Sequence, residues 1–150
     1  MRVVKFRGKR IVNGDWIYGD IFREIALTPT SRKKKSEFSG FWAIQTETPD
    51  GIKSYSVDPE TVGQFTGEKD INGVDIYEGD IVDCDLAVLT PFNDPDEMQH
   101  IRCKVVWERF EFRFAEEKYK YLSQWNGDLD NFKVIGNIHD NPELMEAAAQ

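Results

Sequence analysis

The side chains best suited to metal binding or nucleophilic chemistry are few and far apart. The sequence contains two histidines, His100 and His139, and two cysteines, Cys84 and Cys103. Zinc sites bring such ligands together in short spacings such as Cys-x-x-Cys or His-x₃-His, and neither spacing occurs here. Cys84 lies among alternating apolar residues, where an unmodified cysteine behaves as a small core residue. We therefore expect no metal ligand and no cofactor.

Clustered carboxylates are the other groups that offer chemistry, as cation ligands or as an acid–base pair. The two clusters are Asp80, Asp83 and Asp85, and Asp94, Asp96 and Glu97. Neither has the glycine and closing glutamate of a calcium loop. The sequence also lacks a nucleophile elbow, a P-loop and a dinucleotide fingerprint. These observations predict no catalytic residue and a protein that is not an enzyme.

A short phrase that occurs twice, at residues 13–22 and 72–82, indicates how such side chains are positioned. The second copy contains one extra residue, Glu78. Asn-Gly favours the centre of a type I′ turn, and the later Gly-Asp predicts a kink at which the aspartate accepts hydrogen bonds from backbone amides. The predicted structural turn residues are Asn13, Gly14, Gly19, Asp20, Asn72, Gly73, Gly79 and Asp80.

Short β-prone segments separated by turn residues dominate the rest of the chain. Seven or eight strands and one short helix after Asn141 are expected, which is typical of a mainly-β fold. In residues 81–89, Val82, Cys84 and Leu86 share one predicted face and Asp83 the other. Kinked strands of this kind favour a small β-barrel or roll. We expect an N-terminal β lobe over residues 1–64 and a β-roll with the C-terminal helix over 65–150.

The charge distribution is the main pointer to partners. The net charge is −8, yet residues 1–36 hold ten Lys or Arg against three acids. Within a polar segment predicted to be a mobile loop, Arg32, Lys33, Lys34 and Lys35 are candidate contacts for an anionic partner. An ordinary solvated surface is the alternative interpretation. No membrane span or signal peptide is predicted, so we expect a cytoplasmic protein.

Three classes of binding function remain open. Opposed charges and strand edges favour a homo-oligomer or a complex with another protein. The basic segment with interleaved aromatic residues favours nucleic acid as the alternative. In a third class, the acidic C-terminal portion imitates DNA to occupy another protein.

Three segments go beyond general β-fold patterns. They are Lys5-Phe6-Arg7-Gly8-Lys9-Arg10 leading to Trp16-Ile17-Tyr18-Gly19-Asp20; Val57-Asp58-Pro59-Glu60-Thr61-Val62-Gly63-Gln64-Phe65-Thr66-Gly67 leading to Asp70-Ile71-Asn72-Gly73 and Ile76-Tyr77-Glu78-Gly79-Asp80-Ile81-Val82; and Val134-Ile135-Gly136-Asn137-Ile138-His139-Asp140-Asn141-Pro142-Glu143-Leu144. In this order and spacing they resemble the YopX protein family of bacteriophages and prophages. The resemblance spans nearly the whole chain. It implies an SH3-like β-roll in the C-terminal portion, a bacterial cytoplasm and a mobile-element origin, and it assigns no catalytic residue.

Overall fold

The computed structural model describes residues 3–25, 40–87, 98–108, 111–115 and 132–148, and these ranges are mainly strand. The strands are β1 (Phe6–Lys9), β2 (Trp16–Ile25), β3 (Gly40–Thr48), β4 (Gly51–Ser56), β5 (Gly63–Lys69), β6 (Asp75–Tyr77), β7 (Asp80–Ala87), β8 (Met98–Glu108), β9 (Glu111–Ala115) and β10 (Lys133–Asn137). A 3₁₀ turn covers Pro59–Thr61, and one short helix, α1, covers Glu143–Ala148. The predicted mainly-β class with a C-terminal helix is confirmed. The chain divides into two compact units, Met1–Gln64 and Phe65–Gln150.

Unit 1 is built around the antiparallel order β4-β3-β2-β1. The first residues of β5 extend it, since Gly63 pairs with Arg7 and Gln64 with Phe6. A two-residue turn joins β3 to β4 with Thr48 opposite Gly51, where the Pro49-Asp50 pair predicts it. Among the residues of this unit whose burial is described, the buried apolar ones are Ala43, Ile44 and Val57. Most of β4 is exposed.

The sheet of unit 2 is antiparallel in the order β10-β7-β8-β9, and β5 also pairs with β6 in this unit. Its core cluster consists of Ile76, Val82, Cys84, Ile101, Cys103, Val105 and Phe132. Val82 lies opposite Cys103, and Cys84 lies opposite Ile101. The predicted role of Cys84 as a core residue on the apolar face of its strand is therefore confirmed.

Of the predicted barrel or roll, closure into a barrel is not found: the described strands form two antiparallel sheets. In unit 1 the ends of β1 and β4 still meet, since Arg10 bridges to Val57. β2 runs without a break through Gly19 and Asp20, pairing with β1 as far as Gly19 and with β3 from Asp20 onward. Gly19 has a φ of +157°, and a β-carbon there would lie 2.0 Å from the carbonyl oxygen of Gln45. The glycine permits a close strand approach at the point where β2 changes its partner from β1 to β3.

The second copy does form a turn. Glu78 and Gly79 connect β6 to β7, and Gly79 has a φ of +89°. The Gly79 N–H donates to Val105 O, and its carbonyl accepts from the Ile138 N–H. The copy that contains the extra residue Glu78 forms a turn, whereas the copy without it is a continuous strand. The two copies are therefore not equivalent corners.

The predicted type I′ turns at both Asn-Gly pairs are also wrong. At the second pair, the Gly73 N–H donates to Asp70 O, which places Ile71 and Asn72 at the centre of the turn and Gly73 at its end. At the first, the Gly14 N–H donates to Arg10 O in a four-residue loop, and the Asn13 side chain bonds to Asp15. Gly14 and Gly73 take positive φ, of +74° and +78°. Local aspartate and asparagine side chains thus select a different turn from the one the dipeptide favours.

Candidate functional site

His100 of strand β8 lies beside two aspartates of the neighbouring strand β7. Asp85 is directly opposite His100, and Asp83 is directly opposite Arg102. The imidazole places Nδ1 at 2.9 Å from Asp85 Oδ1 and Nε2 at 3.2 Å from Asp83 Oδ2. Arg102 donates from Nε to Asp83 Oδ1 at 2.8 Å, from Nη2 to Asp83 Oδ2 at 3.2 Å, and from Nη1 to the carbonyl oxygen of Leu144. These four charged groups form a cross-strand network on the sheet face opposite Cys84.

The electrostatics of this network favour its ion-paired form. The hydrogen bond to Asp85 raises the pKa of His100 above its ordinary value of 6.5, against some desolvation and with a further contribution from Asp83. Burial opposes ionisation of Asp83, but the hydrogen bond and charge of Arg102, aided by His100, lower its pKa below the ordinary 3.8. Each shift stabilises the charged form of its group.

This arrangement stabilises a sheet better than it supports catalysis. Both imidazole nitrogens contact carboxylates, which favours the protonated imidazole, and in that form His100 has no lone pair to act as a base or a ligand. Among the described residues, no group of three or more His, Cys, Asp or Glu is arranged to hold a metal ion. The sequence analysis did not connect His100 with Asp83 and Asp85. The signal was present as two acids and two bases, each pair spaced by two residues along a strand.

The aspartates of the turn regions bind backbone amides. Asp70 is 6% exposed; its Oδ1 accepts from the N–H groups of Asn72 and Val74, and its Oδ2 accepts from the Val134 N–H. Asp80 is 2% exposed, and its Oδ2 accepts from the Tyr77 N–H at 2.8 Å. Asp20, the counterpart of Asp80, is exposed within β2 opposite Gln45. Burial with amide donors assigns Asp70 and Asp80 to folding.

The predicted anion contacts Arg32, Lys33, Lys34 and Lys35 lie outside the described residues. Three other cations of unit 1 lie over aromatic rings: Arg7 and Lys9 over Trp16, at 4.7 and 5.5 Å from the centroid, and Arg10 over Tyr55 at 4.5 Å. Cation–π contacts of this length stabilise the folded chain.

The free edge of the unit 1 sheet is β4, beyond which no described strand lies. Five of its six residues are exposed, and Ile52 is 63% exposed. The Val57 N–H donates to Trp42 O, which makes Val57 and Trp42 a hydrogen-bonded pair. Along the antiparallel β3–β4 ladder, hydrogen-bonded pairs then recur at every second residue. Residues 51, 53 and 55 therefore direct their backbone groups to β3, whereas Ile52 and Ser54 direct theirs outward. The Ser56 carbonyl follows the same pattern and accepts from the Ile11 N–H.

With these features described, comparison with known proteins assigns the chain to a family. The model of the YopX protein family matches residues 2–146. The chain belongs to the YopX family. It is similar to the crystal structure of protein EF1440 from Enterococcus faecalis, with a TM-score of 0.51 and 19% identity over 97% of this chain and 99% of that chain. At that identity the similarity shows the fold alone. No curated protein matches the sequence.

The segments that carry the YopX pattern contain side chains that hold backbone in place. Asp58 Oδ1 caps the 3₁₀ turn by accepting from the Glu60 N–H, as its position before Pro59 predicts. Thr61 then accepts from the Lys9 N–H at 2.8 Å, which ties β1 to this turn. A β-carbon on Gly136 of β10 would lie 2.5 Å from Asn141 Oδ1, so a larger residue there would require the Asn141 side chain to move. These YopX residues specify a fold, and none of them forms a reactive centre in the part of the chain described.

Proposed function

We propose that this YopX protein is a non-catalytic phage or prophage accessory protein that acts by protein interaction, including self-association. The observation that carries the proposal is the open edge of β4, where outward backbone groups accompany an exposed apolar side chain. Strand edges of this kind bind other strands through main-chain hydrogen bonds. A second copy, or a host or phage protein that presents a strand, would satisfy the edge. We place its action in the bacterial cytoplasm, and we propose an SH3-like arrangement for residues 65–140.

The uneven distribution of charge supports association between copies. Residues 1–64 hold eleven Lys or Arg and eight acids, whereas residues 65–150 hold eight Lys or Arg and nineteen acids. Complementary charges steer proteins together and set their orientation. Contacts between unlike regions of two copies are therefore favoured over contacts between two acidic regions.

Nucleic-acid binding is the second candidate, and one face of the unit 1 sheet favours it. Arg23 lies opposite Trp42, and Lys53 lies two residues from Tyr55, which Arg10 covers. Aromatic rings flanked by cations bind single strands by stacking and charge. The basic segment Arg32–Lys35 adds four cations to the same unit.

A salt series separates the two candidates. Light scattering coupled to size-exclusion chromatography gives the mass of the protein at low and high salt, beside mobility-shift assays with DNA and RNA. Association through strand edges persists as salt rises, because backbone hydrogen bonds and apolar contacts carry it. Nucleic-acid affinity would fall steeply, with each phosphate contact adding about 0.7–0.9 to the log–log slope. A strict monomer that shifts nucleic acid at physiological salt would overturn the first candidate.

Among the described residues, no helix is both long enough and apolar enough to cross a membrane.

A further inference from the structure

The open edge of β4 restricts how a second copy can bind to it. The accessible backbone groups belong to Ile52 and Ser54, since residues 51, 53 and 55 bond to β3. Two copies that extend one sheet by antiparallel pairing are related by a two-fold axis perpendicular to the sheet. Residues directly opposite one another then have their side chains on the same face. The axis must therefore pass beside a single residue of β4: Ile52, Lys53 or Ser54.

Two of these three registers are unfavourable. An axis at Lys53 places two ammonium groups directly opposite each other, and like charges in that position destabilise a strand pair. An axis at Ser54 brings Gly51 of the second copy opposite Val57, where Arg10 already pairs. The backbone of the first strand, β1, would have to move to admit it.

An axis at Ile52 avoids both conflicts. It sets Ile52 against Ile52 of the second copy, so two exposed apolar side chains cover each other. The outward N–H and C=O groups of Ile52 form a reciprocal pair of hydrogen bonds across the axis. Lys53 then lies opposite Gly51 of the second copy, beside that copy's Asp50. Within one chain the Lys53 ammonium is already 3.9 Å from the Asp50 carboxylate, so the dimer would bring two lysines and two aspartates together.

We propose that this protein forms a two-fold symmetric homodimer by antiparallel pairing of β4 edges, with the axis at Ile52 and with Lys53 beside Asp50 of the second copy. This inference rests on the proposed function and specifies its partner and register. The paired segment is only a few residues long, so the association is weak and depends on concentration. Lys53 helps to set the register, because repulsion between two lysines disfavours the register whose two-fold axis lies at Lys53.

Charge substitutions at the axis test the contact of Ile52 with its own copy. Ile52→Asp and Ile52→Lys each place like charges face to face, and each raises the dissociation constant of the wild-type dimer at least about tenfold. A mixture of the two variants restores association as a heterodimer, since the opposite charges now meet. Matched controls are Ile71→Asp and Ile71→Lys, because Ile71 is 61% exposed and the substitutions change the net charge equally. These controls retain the wild-type dissociation constant in sedimentation velocity.

The sign of a second substitution tests the register. Lys53→Ala weakens association if Lys53 meets Asp50 of the second copy, and it strengthens association if the two Lys53 side chains face each other. Wild-type protein that associates but is insensitive to charge at Ile52 overturns the dimer while leaving the proposed function in place. Failure of the mixed variants to associate, or strengthening by Lys53→Ala, overturns the register alone. A wild-type chain that is monomeric throughout overturns the dimer and self-association, and leaves binding of a different protein at this edge as the form of the proposed function.

Discussion

At the scale of single residues, glycine and aspartate carry most of the structural information in this YopX chain. Gly19 and Gly79, two of the predicted structural turn residues, occupy backbone conformations that are unfavourable for a residue with a β-carbon. The residue types predicted the positions of the turns but not their geometry. Asp70 holds the second turn by accepting from the N–H groups of Asn72 and Val74, and its other oxygen accepts from the Val134 N–H, which is distant in sequence. Rules based on neighbouring residues contain no information about this distant donor.

Gly19→Ala tests the close approach of β2 to β3. A β-carbon at Gly19 would meet the Gln45 carbonyl at 2.0 Å, so the strands must separate, and we expect a loss of about 2 kcal/mol or more in the free energy of unfolding. Gly14→Ala is the matched control. It has positive φ but no atom within 4 Å of the added carbon, and it costs only about 1 kcal/mol. Urea denaturation measures both, and equal losses would contradict the close-approach interpretation.

Asp70→Ala tests whether a buried carboxylate organises the turn between β5 and β6. The substitution leaves three backbone N–H groups without their acceptor, and we expect a loss of about 2–3 kcal/mol. Asp70→Asn keeps one acceptor oxygen, so we expect its free energy of unfolding to lie between those of the wild type and the alanine variant. Asp58→Ala removes an exposed cap and costs about 1 kcal/mol. An Asp70→Ala protein as stable as the Asp58→Ala protein would show that water replaces the carboxylate.

At the scale of elements, the sequence predicts which face of a strand is buried but not which strands pair. Alternation correctly placed Val82 and Cys84 in the core and Asp83 on the opposite face of the strand. The network of His100 with Asp83 and Asp85 depends on the register of β7 against β8, which is set by residues far apart in the chain. In the sequence, two acids lie two residues apart on β7 and two bases lie two residues apart on β8. Only the pairing of the two strands brings them into contact.

The pH dependence of stability tests this network. The raised pKa of His100 means that its contribution is complete below the ordinary value of 6.5 and is lost as pH rises through the folded-state pKa. Thermal melts should therefore show stability declining above pH 6.5 in the wild type more than in His100→Gln. Asp83 has a lowered pKa, so its contribution is present above 3.8 and is lost as pH falls further. Parallel pH profiles for the two proteins above pH 6.5 would contradict the assignment to His100.

At the scale of the whole molecule, the mainly-β class and the family could be predicted from the sequence, whereas the position of the edge strand could not. Kinks predicted closure into a barrel, but the described strands form two antiparallel sheets, and in unit 1 β4 has no described strand beyond it. Closure depends on the pairing of non-adjacent strands, which no short phrase encodes. The open edge is the feature on which the proposed function depends.

The measurement that tests the central claim most directly is sedimentation velocity of the wild-type chain over a dilution series. We expect the average mass to rise from that of the monomer toward that of the dimer as concentration increases. The rise should largely persist when salt is increased from about 0.1 M to about 1 M, because screening weakens only the charged contacts. A mass equal to the monomer at every concentration and both salt levels would contradict self-association.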